Sequence, residues 1–339
     1  MTFHPDQIEQ ITDRRERQKA TIQQFNQAME AHDYDTAAAI SDYVVGEETR
    51  QHGFGCDWQM HCLKWLTHWC QHQFSETPNN SPEEDQAFNK LMGCLWRFKW
   101  LVGDLPRDLN ATLDSIQEAN QEMQQWYERY KFSPAMLHKS LMEQNILLGN
   151  VDAVREHYQK WQDNEHDGMN DCPACEQSTQ IQYHHFIRDY NQVLELAKPI
   201  LAGELTCAEV PHNCYYYIVH SLIQTGNTAR ARHLLDHAIE HLETERQEFI
   251  QLIPQLIQLY YPLNDPDTAE ELINEYNDDI FAASQTDILT YWHYLLAIIP
   301  QNDEALANAR EIAKDIDQRN GNSYYQTQLD WLFGETTIH

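Results

Sequence analysis

The stretch "YYIVHSLIQTGNTARARHLLDHA", residues 216–238, decides the predicted fold. Apolar residues recur every three or four positions on both sides of a short polar break at Gly226–Asn227. This spacing predicts two amphipathic helices. Gly followed by Asn and Thr is typical of one helix end followed at once by the N-cap of the next helix. The stretch therefore predicts a helix, a tight turn and a second helix that packs back on the first.

The same pattern recurs through the second half of the chain. The breaks fall at Asn150, Asp189, Asn227, Pro266 and Asn302. Successive breaks are therefore 39, 38, 39 and 36 residues apart. An N-terminal unit, residues 21–45, breaks in the same way at His32–Asp33. A fixed period of this length, with one helix on each side of a break, is typical of stacked helix pairs. Small residues follow four of the breaks and would let paired helices approach closely: Ala153, Ala229, Ala269 and Ala305.

Over roughly residues 133–316 the pattern resembles tetratricopeptide repeats, with a longer period. The resemblance implies an all-α fold, an α-solenoid of antiparallel helix pairs wound into a right-handed superhelix. We expect one solenoid domain over residues 1–339. Its parts are an N-terminal helix pair at 1–50, an irregular helical part at 51–132 with an exposed loop at 75–85, and repeats at 133–339.

The charge balance of the chain limits its partners. The 339 residues include 53 acidic residues against 23 lysines and arginines, a formal net charge of −30. Such a charge repels nucleic acid and anionic membranes, so we expect neither as a partner, and it attracts a basic protein or peptide. The acidic residues are scattered along the chain, which also fits a general role in solubility.

The N-terminal segment, the lack of long apolar runs and the cysteines together indicate the cellular compartment. The N-terminal segment has no apolar core of a secretory signal, and no run of about 18 apolar residues occurs in the chain. Eight cysteines without a secretory signal favour reduced thiols over a disulfide framework. The expected location is the cytoplasm.

Two pairs of candidate metal ligands occupy equivalent places in successive repeats. Cys172 and Cys175 precede the first helix of one unit, and Cys207 and His212 precede the first helix of the next. Equivalent points on neighbouring helix pairs lie about 10 Å apart, so the two pairs can meet at one edge. Three thiolates and one imidazole suit tetrahedral Zn²⁺ in a closed structural site. The sequence therefore predicts a structural zinc ion that joins two repeats.

Other interpretations of the cysteines stay open at this stage. A Cys-x-x-Cys redox pair normally follows a strand, and no such pattern is present. Buried cysteines without an ion are a second alternative, because free Cys often packs as a small apolar residue. Cys214 is a reserve ligand. The segment 52–72, rich in His and Cys, is a weaker candidate for a second metal, since its tryptophans and leucines favour core packing of Cys62 and Cys70.

The same residues carry a second resemblance. "DCPAC" (171–175) and "LAGELTCAEVPH" (201–212) resemble the DCxxC…CxEVPH signature of a group of bacterial tetratricopeptide-like proteins. "LWRFKWLVGDLP" (95–106) and "YERYKFS" (127–133) are similar to that group as well. The resemblance spans about residues 90–245. It implies the helical repeats and a shared role for the four candidate ligands, and it implies no reaction.

Known catalytic signatures are missing from the sequence. No HExxH, phosphate-binding loop, dinucleotide fingerprint or Gly-x-Ser-x-Gly occurs. We therefore expect a non-enzymatic scaffold that binds a peptide or basic protein on a concave surface. The candidate contacts are Tyr183, Tyr216, His220 and Gln255. The alternatives are an immunity or inhibitor protein for a basic toxin, a peptide-sensing regulator and, least supported, an enzyme.

Overall fold

A computed structural model describes residues 3–46 and 53–333. Every regular element in these two ranges is a helix, and neither range contains a strand. The predicted all-α class is therefore confirmed for the described part of the chain. Among these residues, no helix combines the length and the apolar character needed to cross a membrane.

The chain divides into two compact units. Unit 1 contains residues up to 147 together with 155–169 and 285–287. Unit 2 contains residues 148–154, 170–284 and those from 288 onward. The single continuous domain over residues 1–339 stays a prediction.

Unit 1 is built from long helices with short connections. Its helices, the last of which begins in unit 2, are α1 (Pro5–Glu9), α2 (Arg14–Glu30), α3 (Tyr34–Val45), α4 (Cys56–Glu76), α5 (Pro82–Asp104), α6 (Leu113–Tyr130), α7 (Ala135–Leu148) and α8 (Val151–Asp163). The loop predicted at 75–85 is shorter and covers only 77–81. The reason is local, because the Ser81 side chain caps the backbone N–H of Glu84 and Pro82 occupies the first helical turn.

Unit 2 contains shorter helices and more turns. They are α9 (Pro173–Phe186), α10 (Tyr190–Leu196), α11 (Lys198–Leu201), α12 (Tyr215–Gln224), α13 (Thr228–Glu243), α14 (Arg246–Phe249), α15 (Ile253–Gln258), α16 (Pro266–Ser284), α17 (Ile288–Ile298), α18 (Asp303–Asn320) and α19 (Tyr324–Phe333). Each of the five predicted breaks lies at or next to the start of a new helix, so their positions are confirmed.

Four of the turns at the breaks contain a residue with a left-handed backbone conformation, which is glycine in two of them and another residue in the other two. Gly149 and Gly226 have φ values of +73° and +79°, as expected for glycine after a helix end. Arg188 and Asn264 take the same role at two other breaks, with φ values of +64° and +59°. At one of these, the Asp189 carboxylate then accepts the backbone N–H of Gln192 and starts α10. Capping chemistry thus fixes the breaks even where glycine is absent.

Helices pack within pairs and between neighbouring pairs of unit 2. The pairs α9–α10, α12–α13, α15–α16 and α17–α18 are in contact, and the first helices α9, α12, α15 and α17 contact one another in that order. Ala269 and Ala305 are fully buried, as predicted for close approach. The expectation for Ala229 was wrong, because it is exposed and Ala231 is the buried small residue of α13. The right-handed superhelix stays a prediction.

Candidate metal centre

The Cys-x-x-Cys stretch lies at the start of α9. Cys172 is the N-cap residue, Pro173 occupies the first turn, and the backbone N–H of Cys175 donates to Cys172 Sγ at 3.5 Å. A helix N-terminus favours negative charge because its first N–H groups lack partners within the helix. The local sequence therefore places two sulfur atoms side by side and favours an ionised thiol at Cys172.

The third thiol comes from the connection between α11 and α12. The backbone N–H of Cys207 donates to the Val210 carbonyl at 3.2 Å, and the Val210 N–H donates back to the Cys207 carbonyl at 3.3 Å. The Thr206 hydroxyl also donates to the Val210 carbonyl, at 3.1 Å. These bonds hold a compact loop, and Cys207 is only half-buried in it.

Cys172, Cys175 and Cys207, called the thiol trio below, meet at one point of unit 2. All three sulfur atoms lie within 4.8 Å of one another. The sulfur atoms of Cys175 and Cys207 are 3.4 Å apart, much longer than the roughly 2.05 Å of a disulfide bond. Two thiolates at about 2.3 Å from a tetrahedral zinc ion stand about 3.8 Å apart. The spacing of the trio therefore fits three ligands of one metal ion.

The surroundings of the trio favour one thiolate and resist a second. Burial opposes ionisation of Cys172, but the N–H of Cys175 and the neighbouring thiols outweigh it and lower the pKa of Cys172. Burial and the thiols of Cys207 and Cys172 raise the pKa of Cys175. Two negative sulfur atoms at this distance repel each other unless a cation lies between them. A divalent ion supplies that charge and keeps all its thiolate ligands deprotonated.

His212, the fourth predicted ligand, lies outside the group of sulfur atoms within 4.8 Å. Its ring stacks on Phe249 with centroids 4.3 Å apart and lies 4.5 Å from the ring of His241. Its Nε2 is 3.6 Å from a Glu245 carboxylate oxygen, too long for a hydrogen bond. The structure thus brings together three of the four predicted ligands.

Two features of His212 leave its ligand role open. The side chain is 6% exposed, and neither ring nitrogen has a hydrogen-bond partner of normal geometry among the described residues. Burial and the neighbouring His241 lower the pKa of His212, which favours the neutral imidazole. The neutral imidazole is the form that binds zinc. The fourth ligand therefore stays a prediction.

The remaining candidate ligands occupy other environments. Cys214 is fully buried and donates to the Ser178 hydroxyl at 3.2 Å, and burial raises the pKa of its thiol to about 12. Cys62 and Cys70 are buried among core residues of unit 1, which confirms their predicted packing role. Of the segment 52–72, His52 lies outside the described residues. In the part from residue 53 onward, no three ligand atoms come as close together as those of the trio.

The predicted contacts of a peptide groove are only partly accessible. Tyr183 is 8% exposed and belongs to the core, so little of its surface is accessible to a ligand. Tyr216, His220 and Gln255 are half-buried. His220 forms a hydrogen bond of 2.8 Å with His185 and stacks on Tyr216. These rings therefore form a packed cluster on α9 and α12.

Sequence reasoning missed the residues that surround His212. His241, Glu245 and Phe249 lie 29 to 37 residues further along the chain and contact it only after α13 and α14 fold back. One signal was available, because His233, His237 and His241 recur every four residues and therefore share one face of α13.

Comparison of the chain with protein-family models, with curated proteins and with solved structures gives no significant match.

Proposed function

We propose that this chain is a non-enzymatic interaction scaffold, a solenoid of helix pairs in which one structural zinc ion joins two neighbouring pairs. The observation that carries the proposal is the meeting of three thiols from two chain segments within 4.8 Å. Structural zinc sites in proteins are built from such soft ligands. The thiol trio supplies three of them, and His212 is the proposed fourth.

Zinc has a physical role at this place. The connection between α11 and α12 runs over residues 202–214 with only a short 3-10 turn at its end. Ordering such a segment costs conformational entropy, and a metal bridge to the start of α9 offsets that cost. The ion would hold the loop on the helix without any enlargement of the apolar core. A four-ligand site also leaves no position for a catalytic water, in agreement with a non-enzymatic role.

The charge of the chain suggests the class of partner. With a net charge of −30, the scaffold favours a basic protein or peptide over nucleic acid or a membrane surface. Opposite charges accelerate association, and salt weakens this effect. We propose a basic partner in the cytoplasm. An association rate that does not change with ionic strength would contradict this part of the proposal.

Two narrower functions follow from the same charge and helices. An immunity or inhibitor protein would cover the basic face of a nucleic-acid-cleaving toxin, and tight binding to such a toxin would favour it. A peptide-sensing regulator would change its activity with a short peptide. The charge favours the first alternative, because it needs a basic protein surface as the ligand.

The proposal is tested in two independent measurements. Metal analysis of the purified full chain should give one zinc ion per chain, and the Cys175→Ser variant should give none. Affinity capture from the native cytosol, repeated in high salt as a control, should return a basic protein that is lost as salt rises. A metal-free protein would contradict the zinc site, and a partner that is retained in high salt would contradict the electrostatic recognition.

A further inference from the structure

A row of aromatic rings lies along one side of α4 in unit 1. Trp65 and Trp69 are four residues apart, and their rings stack with centroids 6.0 Å apart at an angle of 14°. Tyr34, at the start of α3, lies 5.5 Å from Trp69. We call Tyr34, Trp65 and Trp69 the aromatic platform.

The platform contacts neighbouring rings and keeps part of its surface accessible. The buried ring of Phe25 contacts Trp65 edge-on at 5.5 Å, and the His32 ring nitrogen lies 3.1 Å from the Tyr34 hydroxyl. Trp65 and Trp69 are only half-buried, and Tyr34 is 38% exposed. Aromatic residues that remain accessible in neighbouring positions are enriched where proteins bind partners.

The turn that presents Tyr34 is acidic. Glu30 and Asp35 are both exposed there, whereas the Asp33 carboxylate caps α3 by accepting from Thr36. The nearest basic residues are already paired, Lys64 with Glu122 and Arg97 with Asp42. Carboxylates beside aromatic faces select a cationic ligand, because the carboxylates attract it from a distance and the ring faces attract it in contact.

We propose that the aromatic platform is the docking surface for the basic partner, and that arginine side chains of the partner lie over the indole rings of Trp65 and Trp69. This proposal rests on the proposed basic partner and names where it binds. Arginine fits better than lysine, because its planar guanidinium group stacks on an aromatic face as well as carrying charge.

The test uses the full chain and two peptides of equal charge, deca-arginine and deca-lysine, in calorimetric titrations at moderate and high salt. The Trp65→Leu/Trp69→Leu variant keeps apolar side chains but removes both indoles. We expect it to bind deca-arginine about tenfold more weakly than the wild type, because both cation–π contacts are lost. Its binding of deca-lysine should change less.

The matched control is Trp331→Leu, which removes a 62% exposed indole on α19 of unit 2. This variant should bind both peptides as the wild type does. If the double variant melts at a lower temperature, the same titrations are made with Tyr34→Leu, whose ring is accessible in the wild type. We then expect a smaller loss of affinity for deca-arginine.

The outcomes separate the two proposals. Equal binding of deca-arginine by the Trp65→Leu/Trp69→Leu and Trp331→Leu variants overturns the platform and leaves the basic partner in place. Absence of binding of either peptide by the wild type overturns the basic partner and the platform together. Neither result changes the zinc site, which is measured by metal content.

Discussion

Two groups of cysteines, one in each unit, lie in opposite environments. In unit 1, Cys62, Cys70 and Cys94 lie within α4 and α5 and are at most 8% exposed. We call them the buried thiols. The thiol trio of unit 2 is half-buried or exposed and lies at a helix start and in a loop. Burial raises the pKa of Cys62, whereas the N–H groups at the start of α9 help to lower that of Cys172.

The contrast between Cys62 and Cys172 shows what the N–H groups at a helix start add to a thiol, although burial outweighs them and raises the pKa of Cys56, which begins α4. Inside α4, a hydrogen bond with the Cys94 thiol lowers the pKa of Cys70. Inside a helix the backbone N–H groups are already used, and the thiol can only pack or bond with other side chains. At a helix start the same N–H groups are free to stabilise a thiolate, which is the form that binds metal. The following predictions test this contrast, in order of decreasing effect.

Removal of metal should affect the protein more than any single substitution. A strong chelator should lower the free energy of unfolding by about 4 kcal/mol, the contribution of a ligand present at a thousandfold above its Kd. Denaturant unfolding with and without the chelator measures this loss. The Cys175→Ser variant is the control, because it should already be destabilised and should not respond to the chelator. A wild type that is equally stable in both conditions would remove the basis for a structural ion.

Substitution of His212 determines whether the trio acts with a fourth protein ligand. We expect His212→Asn to weaken zinc binding roughly a hundredfold, about 2.7 kcal/mol, because one of four ligands is lost. Competition with a zinc-binding dye measures the affinity. His241→Asn is the matched control, since its ring lies 4.5 Å from that of His212 and it is no proposed ligand. An unchanged affinity in His212→Asn would mean that His212 is not the fourth ligand.

Substitution of a buried thiol should have a smaller effect, and one that is independent of metal. Cys62 is fully buried, so Cys62→Ala leaves a small cavity that costs about 1 to 2 kcal/mol. Its zinc content should equal that of the wild type, and the chelator should destabilise both proteins by the same amount. Loss of zinc from Cys62→Ala would contradict the separation of the two groups of cysteines.

The sequence predicted the features of the fold that depend on neighbouring residues. The predicted break at Asn227 directly precedes α13, because apolar spacing and caps act over one or two turns. The loop at 75–85 was too long, since the Ser81 cap starts α5 before the apolar pattern does. Spacing alone could not anticipate this cap, because polar residues surround it on both sides.

The candidate site was predictable only in part, for a related reason. The period placed Cys207 beside the Cys-x-x-Cys stretch, and the sulfur atoms do meet. The ring of His212 is placed by Phe249, which lies 37 residues further along the chain. Such a contact depends on how α14 folds back, and no local period encodes it. Repeat spacing therefore predicts which segments meet, whereas the orientation of each side chain depends on tertiary packing.

The smallest predicted effect concerns two histidines on the segments that follow the trio. His185 Nε2 and His220 Nδ1 lie 2.8 Å apart, and burial lowers the pKa of His220 to about 4 and that of His185 well below its usual value. Unfolded histidine has a pKa of about 6.5, so the unfolded chain binds protons that the folded chain does not. Stability is therefore complete above about pH 6.5 and falls as the pH is lowered toward 4.

We expect His220→Gln to remove about 1 kcal/mol of the stability difference between pH 7 and pH 5, allowing for partial exposure of the ring. Denaturant unfolding with chelator present measures it, because zinc loss in acid then adds nothing. His233→Gln, an exposed histidine on α13, is the control and should keep the slope of the wild type. If His220→Gln also keeps that slope, the histidine pair does not resist protonation. The acid sensitivity of unit 2 would then come from other histidines, such as His184 and His212, whose pKa values burial also lowers.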